Sequence, residues 1–279
     1  MTLLWQSLPA DDRGLAYGDG CFETVRLVAD SAPLWPRHRA RMLAGAERLG
    51  IATNADALDQ ALNEALREAL AQHARQLQQG GSRHAVFKLI LTRGSGGRGY
   101  AWPTPATPRL LASLHALSLR PASDYREGLR IGLCQQRLAL QPAFAGLKHL
   151  NRLEQVMARG EVQRAGWQEG LMCDMQGRPI ELTSMNLFAR FGDRLWTPDL
   201  AQCGVAGVAR SVIIEKLAVD QGLDVDIHAR PLSQLEHADE VFACNSVAGI
   251  LPVRTLMDRA WPVGELTLAL QARLEQLFE

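Results

Sequence analysis

The sequence predicts a mixed α/β (α+β) protein of two lobes, and two observations support this. Short apolar runs that are typical of strands alternate along the chain with stretches whose apolar residues recur at helical spacing. A segment of turn-forming residues, Pro121–Asp124, separates two of the strand-like runs and is typical of a domain boundary. We therefore expect a smaller N-terminal domain over residues 1–120 and a larger C-terminal domain over residues 121–279.

In the N-terminal part, the pattern predicts a long helix followed by strands. The helix covers about residues 55–79 and ends at Gly80-Gly81, because leucines recur at helical spacing between charged side chains. These leucines are Leu58, Leu62, Leu66, Leu70 and Leu77. The apolar runs Ala85–Thr92 and Leu110–Leu119 are predicted strands, and a glycine-rich loop over residues 93–100 follows the first of them.

In the C-terminal part, strands and helices continue to alternate. Strands are predicted at Leu129–Leu133, around Met172, Ile180 and Leu187, at Val225–Ile227 and at Val241–Cys244. Helices are predicted over residues 151–164, from Gly207 to about Asp220, and over Glu265–Phe278. A hairpin turn is expected at Phe191–Arg194. This order of elements is typical of a mixed α/β protein.

Composition and charge argue against several classes of protein. Lysine plus arginine equals aspartate plus glutamate at 30 each, so neither nucleic acid nor an anionic membrane surface is an expected partner. No apolar run is long enough to span a bilayer, and Met1–Gln6 lacks the basic and apolar regions of a signal peptide. The five cysteines are scattered and form no CxxC pair, which argues against disulfides and zinc. We expect a cytoplasmic protein with no metal site.

The loop Gly94–Gly99 matches the G-x-G-x-x-G pattern of dinucleotide sites, but its context does not fit them. Such a site needs a helix that begins at the glycines, because the helix N-terminus holds the pyrophosphate. The residues that follow include Pro103 and Pro105, which do not open a long helix. Two interpretations stay open: a flexible loop, or a substrate loop whose Arg93 and Arg98 approach carboxylates.

Several separate segments contain side chains that could together form a cofactor site. Lys148 precedes a predicted helix, where a lysine by itself is usually a solvated surface residue. Glu181 lies in an otherwise apolar strand, and an acid there is costly to bury unless it is paired. The glycines of Gly204–Ser211 lead into a helix whose first N–H groups can bind an anion. Ser246 adds a hydroxyl after a strand, and Arg41 adds a guanidinium on an early helix. Such parts are those that a pyridoxal phosphate (PLP) site requires.

These segments resemble the fold-type IV PLP enzymes, which include aminodeoxychorismate lyases, branched-chain aminotransferases and D-amino-acid aminotransferases. The resembling segments, in chain order, are Arg13–Thr24, His38–Met42, Lys148–Glu154, Glu181 with Asn186–Phe188, Gly204–Arg210 and Asp239–Phe242. They extend over nearly the whole chain. The resemblance implies a D-amino-acid aminotransferase-like fold with PLP in the cleft between its two lobes, and a homodimer.

The resemblance also implies how the cofactor ring is held. Lys148 would form the aldimine with PLP and later act as the base, and Glu181 would face the pyridine nitrogen. Each unit by which an acid raises the pKa of that nitrogen favours the pyridinium by about 1.4 kcal/mol. Arg152 falls where the aminotransferases often have a tyrosine near the phenolic oxygen of the cofactor. Thr24 is either a catalytic helper near the cofactor or a strand hydroxyl with no catalytic role.

The same resemblance implies a set of ligands for the cofactor phosphate. Arg41 would pair with the phosphate, because its planar fork donates paired hydrogen bonds. The backbone N–H groups of Val208 and Ala209 and the hydroxyl of Ser246 would complete the phosphate cup. The position of Ser246 commonly carries a threonine in the aminotransferases, so the hydroxyl is preserved.

Within the family, residues 18–22, 93–100 and 148–154 resemble the lyases. This implies conversion of 4-amino-4-deoxychorismate to 4-aminobenzoate and pyruvate in folate biosynthesis, through removal of the C4 proton by Lys148 and elimination. The substrate carries carboxylates, for which Arg93, Arg98 and Arg152 are candidate partners. The alternative enzyme is an aminotransferase of branched-chain or D-amino acids. The alternative of another class is a non-catalytic binding protein that keeps the fold.

Overall fold

The computed structural model describes residues 8–51, 54–117 and 120–279. By their internal contacts these residues form two units. One unit contains the described residues of Met1–Ser118 together with Lys148–Asn151, and the other contains those of Leu119–Leu147 and Arg152–Glu279. A domain boundary after residue 120 stays a prediction.

The first unit is a small antiparallel sheet with helices. Its elements are α1 (Arg13–Tyr17), β1 (Gly20–Val28), α2 (Trp35–Arg48), α3 (Ala55–Gln78), β2 (His84–Thr92) and β3 (Arg109–Ala116). The strands form a three-stranded sheet in the order β1-β2-β3. The predicted long helix is confirmed as α3, and the two predicted strands are confirmed as β2 and β3. The predicted end of the second strand, residues 118–119, lies outside the described residues.

Alternate side chains of β1 lie on opposite faces of this sheet. Val25 and Leu27 are buried in a core that they share with apolar residues of α2 and α3. Glu23 lies on the same side of the strand and is also buried. Phe22 and Thr24 alternate with these residues and lie on the other face. The alternation therefore places an acid among apolar neighbours, a position that requires compensating partners.

The segment Lys148–Asn151 lies along the outer edge of β1. The Phe22 N–H donates to the Lys148 carbonyl at 2.9 Å, and the Leu150 N–H donates to the Gly20 carbonyl at 2.9 Å. The sequence alone predicts Lys148 as part of the C-terminal domain. By its contacts the lysine belongs to the first unit instead, because these backbone hydrogen bonds attach its segment to β1.

The second unit contains the remaining elements, most of them strands. They are α4 (Ala122–Arg126), β4 (Leu129–Leu138), α5 (Leu153–Ala165), β5 (Glu169–Asp174), β6 (Pro179–Leu182), β7 (Asn186–Phe191), β8 (Arg194–Thr197), α6 (Val208–Val212), α7 (Ala218–Asp220), β9 (Asp224–Ile227), β10 (Glu240–Asn245), β11 (Gly249–Leu256), β12 (Arg259–Ala260) and α8 (Glu265–Gln276). The strands form one sheet in the order β10-β11-β4-β5-β6-β7-β8-β9, with β12 beside β11. Because β7 also pairs with β10, part of this sheet closes into a barrel-like ring.

The structure confirms the strands and helices predicted for this part of the chain, and it adds detail. The helix predicted from Gly207 to Asp220 consists of α6, a π-helical segment Ile213–Leu217 and α7. The predicted hairpin turn joins β7 to β8. All five cysteines are free and buried. Within the described ranges, no helix is both long enough and apolar enough to cross a bilayer.

Candidate active site

Lys148 and Thr24 are both associated with one face of β1. The Nζ atom of Lys148 lies 4.2 Å from the centroid of the Phe22 ring, a cation–π contact. Thr24 shares the sheet face of Phe22 and pairs in register with Lys88 of β2. The structure therefore places the predicted cofactor lysine beside the strand that carries Thr24.

Arg41 lies on α2, and its guanidinium contacts Glu23 of β1. Its Nε donates to Oε1 of Glu23 at 2.7 Å, and its Nη2 donates to Oε2 at 2.6 Å. His38 lies one turn earlier on α2, and its Nδ1 is 2.6 Å from the same Oε2. One buried carboxylate thus contacts both of these side chains.

The electrostatics of this group follow from its burial and its charges. Burial raises the pKa of Glu23, but Arg41 and His38 outweigh this effect and the pKa lies at about 2. Burial lowers the pKa of His38; the contact with Glu23 opposes this, whereas the charges of Arg41 and Lys148 add to it. At neutral pH the group therefore consists of a carboxylate, a neutral imidazole and a guanidinium.

Arg93 does not fit the substrate role predicted for it. Its side chain is 3% exposed, and Nε and Nη2 donate to both oxygens of Asp19 at 2.7 and 3.0 Å. Nη1 donates to the Gly50 carbonyl at 2.6 Å, and Nη2 donates to the Leu49 carbonyl at 2.7 Å. The guanidinium also lies 4.1 Å from the centroid of the Trp102 ring. Because its donors are committed to protein groups, Arg93 has a structural role.

Arg98 lies in the exposed part of the glycine-rich loop, and its substrate role stays a prediction. The loop itself is anchored by Arg13, whose Nη1 donates to the Ala101 carbonyl at 3.0 Å and whose Nη2 donates to the Tyr100 carbonyl at 3.3 Å. No helix begins at Gly94–Gly99, which agrees with the argument against a dinucleotide site.

Glu181 lies on β6 of the second unit, and its side chain is buried. The residue is 4% exposed. Its Oε2 accepts a hydrogen bond from the Val205 N–H at 2.8 Å, and its Oε1 accepts one from Nε2 of Gln155 at 3.2 Å. These uncharged donors fix the orientation of the carboxylate.

The loop before α6 is packed closely against Asn186 of β7. Nδ2 of Asn186 donates to the Val205 carbonyl at 2.8 Å. A Cβ atom at Gly207 would come within 1.9 Å of Oδ1 of Asn186, so only glycine fits there without a shift. Val208 and Ala209, predicted to bind phosphate through their N–H groups, are the first residues of α6. The position of this helix start is therefore fixed from β7.

Ser246 lies in the turn after β10. Oδ1 of Asn245 accepts hydrogen bonds from the N–H groups of Val247 and Ala248 at 3.0 and 2.7 Å, which fixes the turn. Cys244, two residues before Ser246, pairs in register with Asn186. Because Asn186 also supports the loop before α6, the predicted hydroxyl and the predicted helix start are both connected to the same residue of β7.

Arg152 precedes α5 and is half-buried. Its Nη2 donates to the Leu147 carbonyl at 3.4 Å. Burial lowers the pKa of Arg152, whereas the charges of Glu181 and Glu154 raise it. The guanidinium of Arg152 therefore interacts electrostatically with the carboxylate of Glu181. A direct role of Arg152 at the cofactor stays a prediction.

The sequence analysis assigned no role to four residues of the hydrogen-bond networks around the predicted ones: Glu23, His38, Gln155 and Asn186. Glu23, His38 and Asn186 lie in the resembling segments, which is the signal that could have pointed to them. Gln155 had no such signal, because an amide on a helix is usually exposed.

Comparisons with known proteins agree with this arrangement. The family model for amino-transferase class IV matches residues 20–256. An aminodeoxychorismate lyase of Vibrio harveyi is 33% identical, over 96% of this chain and 95% of that protein. The crystal structure of 4-amino-4-deoxychorismate lyase from Pseudomonas aeruginosa has 45% identity and a TM-score of 0.87, and covers 98% of this chain and 96% of that one. A hypothetical aminotransferase from Mycobacterium tuberculosis in its PLP-bound form shares the fold, with 18% identity, a TM-score of 0.83 and coverage of 100% and 95%.

Proposed function

Because the chain belongs to the amino-transferase class IV family, we propose that it is a PLP-dependent lyase that converts 4-amino-4-deoxychorismate to 4-aminobenzoate and pyruvate in folate biosynthesis. The observation that carries this proposal is the similarity to two lyases over nearly the whole chain, at 33% and 45% identity. An aminotransferase activity has weaker support, because a putative branched-chain-amino-acid aminotransferase that matches 95% of this chain is 29% identical to it, below both of these lyases, and a fold does not fix a reaction.

The residues of each unit fit a cofactor that has an aldehyde, a ring nitrogen and a phosphate. In the second unit the Glu181 carboxylate is buried and oriented, and the absence of a side chain at Gly207 lets the helix start approach β7 closely. In the first unit Nε2 of His38 is buried and has no hydrogen-bond partner within the described part of the chain. A buried polar atom of this kind is usually matched by a water molecule or a bound group.

Lys148 and Glu181 are the residues that we assign to the cofactor ring. Bound PLP supplies an aldehyde for a lysine amine and a ring that withdraws electrons from the substrate. The ε-amine of Lys148 would hold the cofactor and would serve as the base that takes the proton from C4 of the substrate. The Glu181 carboxylate would favour a protonated ring nitrogen, by about 1.4 kcal/mol for each unit by which it raises the pKa of that nitrogen.

The phosphate is assigned to groups that donate hydrogen bonds. Arg41 supplies a guanidinium, Val208 and Ala209 supply N–H groups at a helix start, and Ser246 supplies a hydroxyl. Asn186 contacts the loop before the helix start and pairs with Cys244 at the end of β10, two residues before Ser246, so both predicted groups follow from the same part of β7.

The substrate carboxylates are assigned to Arg98 and Arg152. Arg98 is exposed in its loop, and Arg152 is half-buried. Thr24 is assigned as a donor that helps to protonate the departing enolpyruvate, because it shares a sheet face with Phe22, whose ring contacts Lys148.

We also propose that the enzyme is a cytoplasmic homodimer. Leu153, Val156 and Met157 lie on one side of α5 and are 71%, 61% and 52% exposed. An apolar row of this kind is typical of a surface that another chain covers. A molar mass in solution of twice the chain's 30.7 kDa would support the dimer.

The test is turnover by the purified holoenzyme with enzymatically generated 4-amino-4-deoxychorismate. We expect 4-aminobenzoate and pyruvate in equal amounts, and loss of activity by at least about 10³-fold in Lys148→Ala, because both the covalent link and the base are removed. Lys148→Ala should also lose the absorbance band of the linked cofactor. Lys216→Ala, at an exposed lysine, is the matched control.

Two outcomes would contradict the proposal. Formation of a keto acid from an amino acid, without 4-aminobenzoate from aminodeoxychorismate, would identify an aminotransferase. A cofactor band without turnover of either kind of substrate would identify a binding protein.

A further inference from the structure

The carboxylate of Glu23 takes no part in the proposed reaction, yet it is buried and contacts two side chains of α2, Arg41 and His38. It is 1% exposed and accepts hydrogen bonds from Arg41 Nε and Nη2 at 2.7 and 2.6 Å. Burial of a carboxylate is costly, and paired bonds from a guanidinium are among the few contacts that offset the cost. The position of Glu23 on β1 therefore depends on Arg41, and the orientation of Arg41 depends on Glu23.

The two parallel hydrogen bonds between Arg41 and Glu23 fix the orientation of the guanidinium as well as its distance from the carboxylate. A guanidinium is planar and rigid, so bonds from Nε and Nη2 to both oxygens of one carboxylate define the plane of the whole group. Without them, the long side chain of Arg41 would rotate about its flexible stem. Binding of an anion would then require the side chain to be ordered at that moment, which lowers affinity.

The same carboxylate determines which nitrogen of His38 carries a proton. A carboxylate only accepts hydrogen bonds, so Nδ1, at 2.6 Å from Oε2, is the protonated nitrogen. In the neutral ring Nε2 is then an acceptor. This Nε2 is buried and lacks a hydrogen-bond partner among residues 8–51, 54–117 and 120–279.

We propose that Glu23 is a positioning residue for the phosphate of the cofactor: it fixes the guanidinium plane of Arg41 and keeps His38 in the Nδ1–H form. The inference rests on the proposed role of Arg41 at the phosphate. It adds that Glu23 acts through Arg41 and does not itself touch the ligand. His38 holds Glu23 through its Nδ1–H, and its Nε2, an acceptor, does not bind the phosphate.

The charge of Glu23 acts on phosphate binding in the opposite direction to its effect on the orientation of Arg41. A carboxylate near a phosphate repels it, so removal of the charge would strengthen binding. Glu23 already forms a charge pair with Arg41, which reduces this repulsion, whereas the geometric effect on Arg41 is undiminished. We therefore expect loss of the carboxylate to weaken phosphate binding.

The experiment compares two ligands, pyridoxal 5′-phosphate and pyridoxal, by titration of the apoprotein. In Glu23→Gln we expect the affinity for pyridoxal 5′-phosphate to fall about tenfold or more, as for a misaligned charge-assisted hydrogen bond. The affinity for pyridoxal, which lacks the phosphate, should stay within about twofold of the wild type. Glu47→Gln, at an exposed acid of α2, the helix that carries Arg41, is the matched control.

Two further measurements keep the inference testable if Glu23→Gln does not fold. One uses the variant Glu23→Asp, and the other uses the wild-type protein. Glu23→Asp keeps the charge and should recover part of the phosphate affinity. In the wild type, nitrogen NMR should find His38 as the neutral Nδ1–H form, with its signal assigned through His38→Gln. The other neutral form in the wild type would overturn the inference without any variant of Glu23.

Arg41→Lys separates this inference from the proposed function. If Arg41→Lys loses phosphate affinity and Glu23→Gln does not, or if Glu23→Gln binds more tightly, Glu23 is not a positioning residue. If Arg41→Lys leaves the affinity for pyridoxal 5′-phosphate unchanged, the proposed role of Arg41 fails and this inference fails with it.

Discussion

The two units bury a strand carboxylate in different ways, Glu23 in the first and Glu181 in the second. Their exposures are similar, at 1% and 4%. Glu23 accepts hydrogen bonds from a guanidinium, whereas Glu181 accepts them from the Val205 N–H and the Gln155 amide, and the charge of Arg152 also acts on Glu181. A charged partner neutralises a carboxylate, but an amide N–H orients it and brings no full charge.

Burial by itself therefore does not identify the role of an acid. The role depends on which groups donate hydrogen bonds to the carboxylate. The carboxylate of Glu23 is bound into an ion pair with Arg41 and serves to orient that residue. The carboxylate of Glu181 accepts hydrogen bonds from two neutral groups, and Arg152 acts on it through its charge. This is an oriented acid, as suits one that is proposed to face a ring nitrogen.

The strongest test of the comparison is Glu181→Gln. Glutamine keeps the size and most of the hydrogen bonding but removes the negative charge that would keep the ring nitrogen protonated. We expect kcat to fall about 10²-fold or more, because a shift of a few pKa units corresponds to several times 1.4 kcal/mol.

The control for this prediction is Glu23→Gln saturated with cofactor. It should retain kcat within about tenfold of the wild type, because its effect is on binding. Equal losses of kcat in the two variants would mean that the two carboxylates do not differ in role.

A second prediction concerns the pH dependence of stability. The pKa of Glu23 is lowered from 4.5 to about 2, because Arg41 and His38 together outweigh the effect of burial, which raises it. A lowered carboxyl pKa adds stability above the ordinary value and loses it as the pH falls towards the folded value. We expect this share of the free energy of unfolding, roughly 3 kcal/mol at about 1.4 kcal/mol per unit, to disappear as the pH falls from about 4.5 to about 2.

Urea unfolding of the wild type and of Glu23→Gln over this pH range measures the share. The free energy of unfolding is plotted against pH for both proteins. The difference between the two slopes gives the contribution of Glu23, because the other acids are the same in both. Parallel pH profiles would show that the charge pairing in the first unit is weaker than its geometry indicates.

The smallest expected effect is that of Gln155→Leu, which removes one neutral donor from Glu181. We expect kcat/KM to fall about fivefold, in line with about 1 kcal/mol for one hydrogen bond. Gln163→Leu, at an exposed position of the same helix α5, is the control. A loss as large as that of Glu181→Gln would mean that orientation of the carboxylate matters as much as its charge.

Periodicity was sufficient for elements such as α3 and β2 and insufficient for β1 and β11. The apolar repeats of α3 and β2 have few interruptions, so each predicts its element directly. In β1 the charged residues Glu23 and Arg26 interrupt the apolar pattern, although both are buried in the structure. Their burial depends on tertiary partners, and single-sequence patterns do not contain that information.

The candidate site shows the same limit for charged residues. Arg93 and Arg98 look alike in the sequence, since both border glycines of one loop. In the structure Arg93 is bound to Asp19 and buried, whereas Arg98 is exposed. A sequence indicates which side chains can bind an anion, but whether another part of the chain has already taken their donors depends on the fold.

The attachment of Lys148–Asn151 to β1 has a further consequence, for aggregation. β1 is an outer strand of its three-stranded sheet, and an outer strand offers unpaired N–H and carbonyl groups to other chains. The isolated bridge between Cys21 and His149, together with the hydrogen bonds at Gly20 and Phe22, occupies part of that edge. The segment that carries the lysine thus also shields the strand, and a nascent chain that ends before residue 148 would expose a ready template for intermolecular pairing.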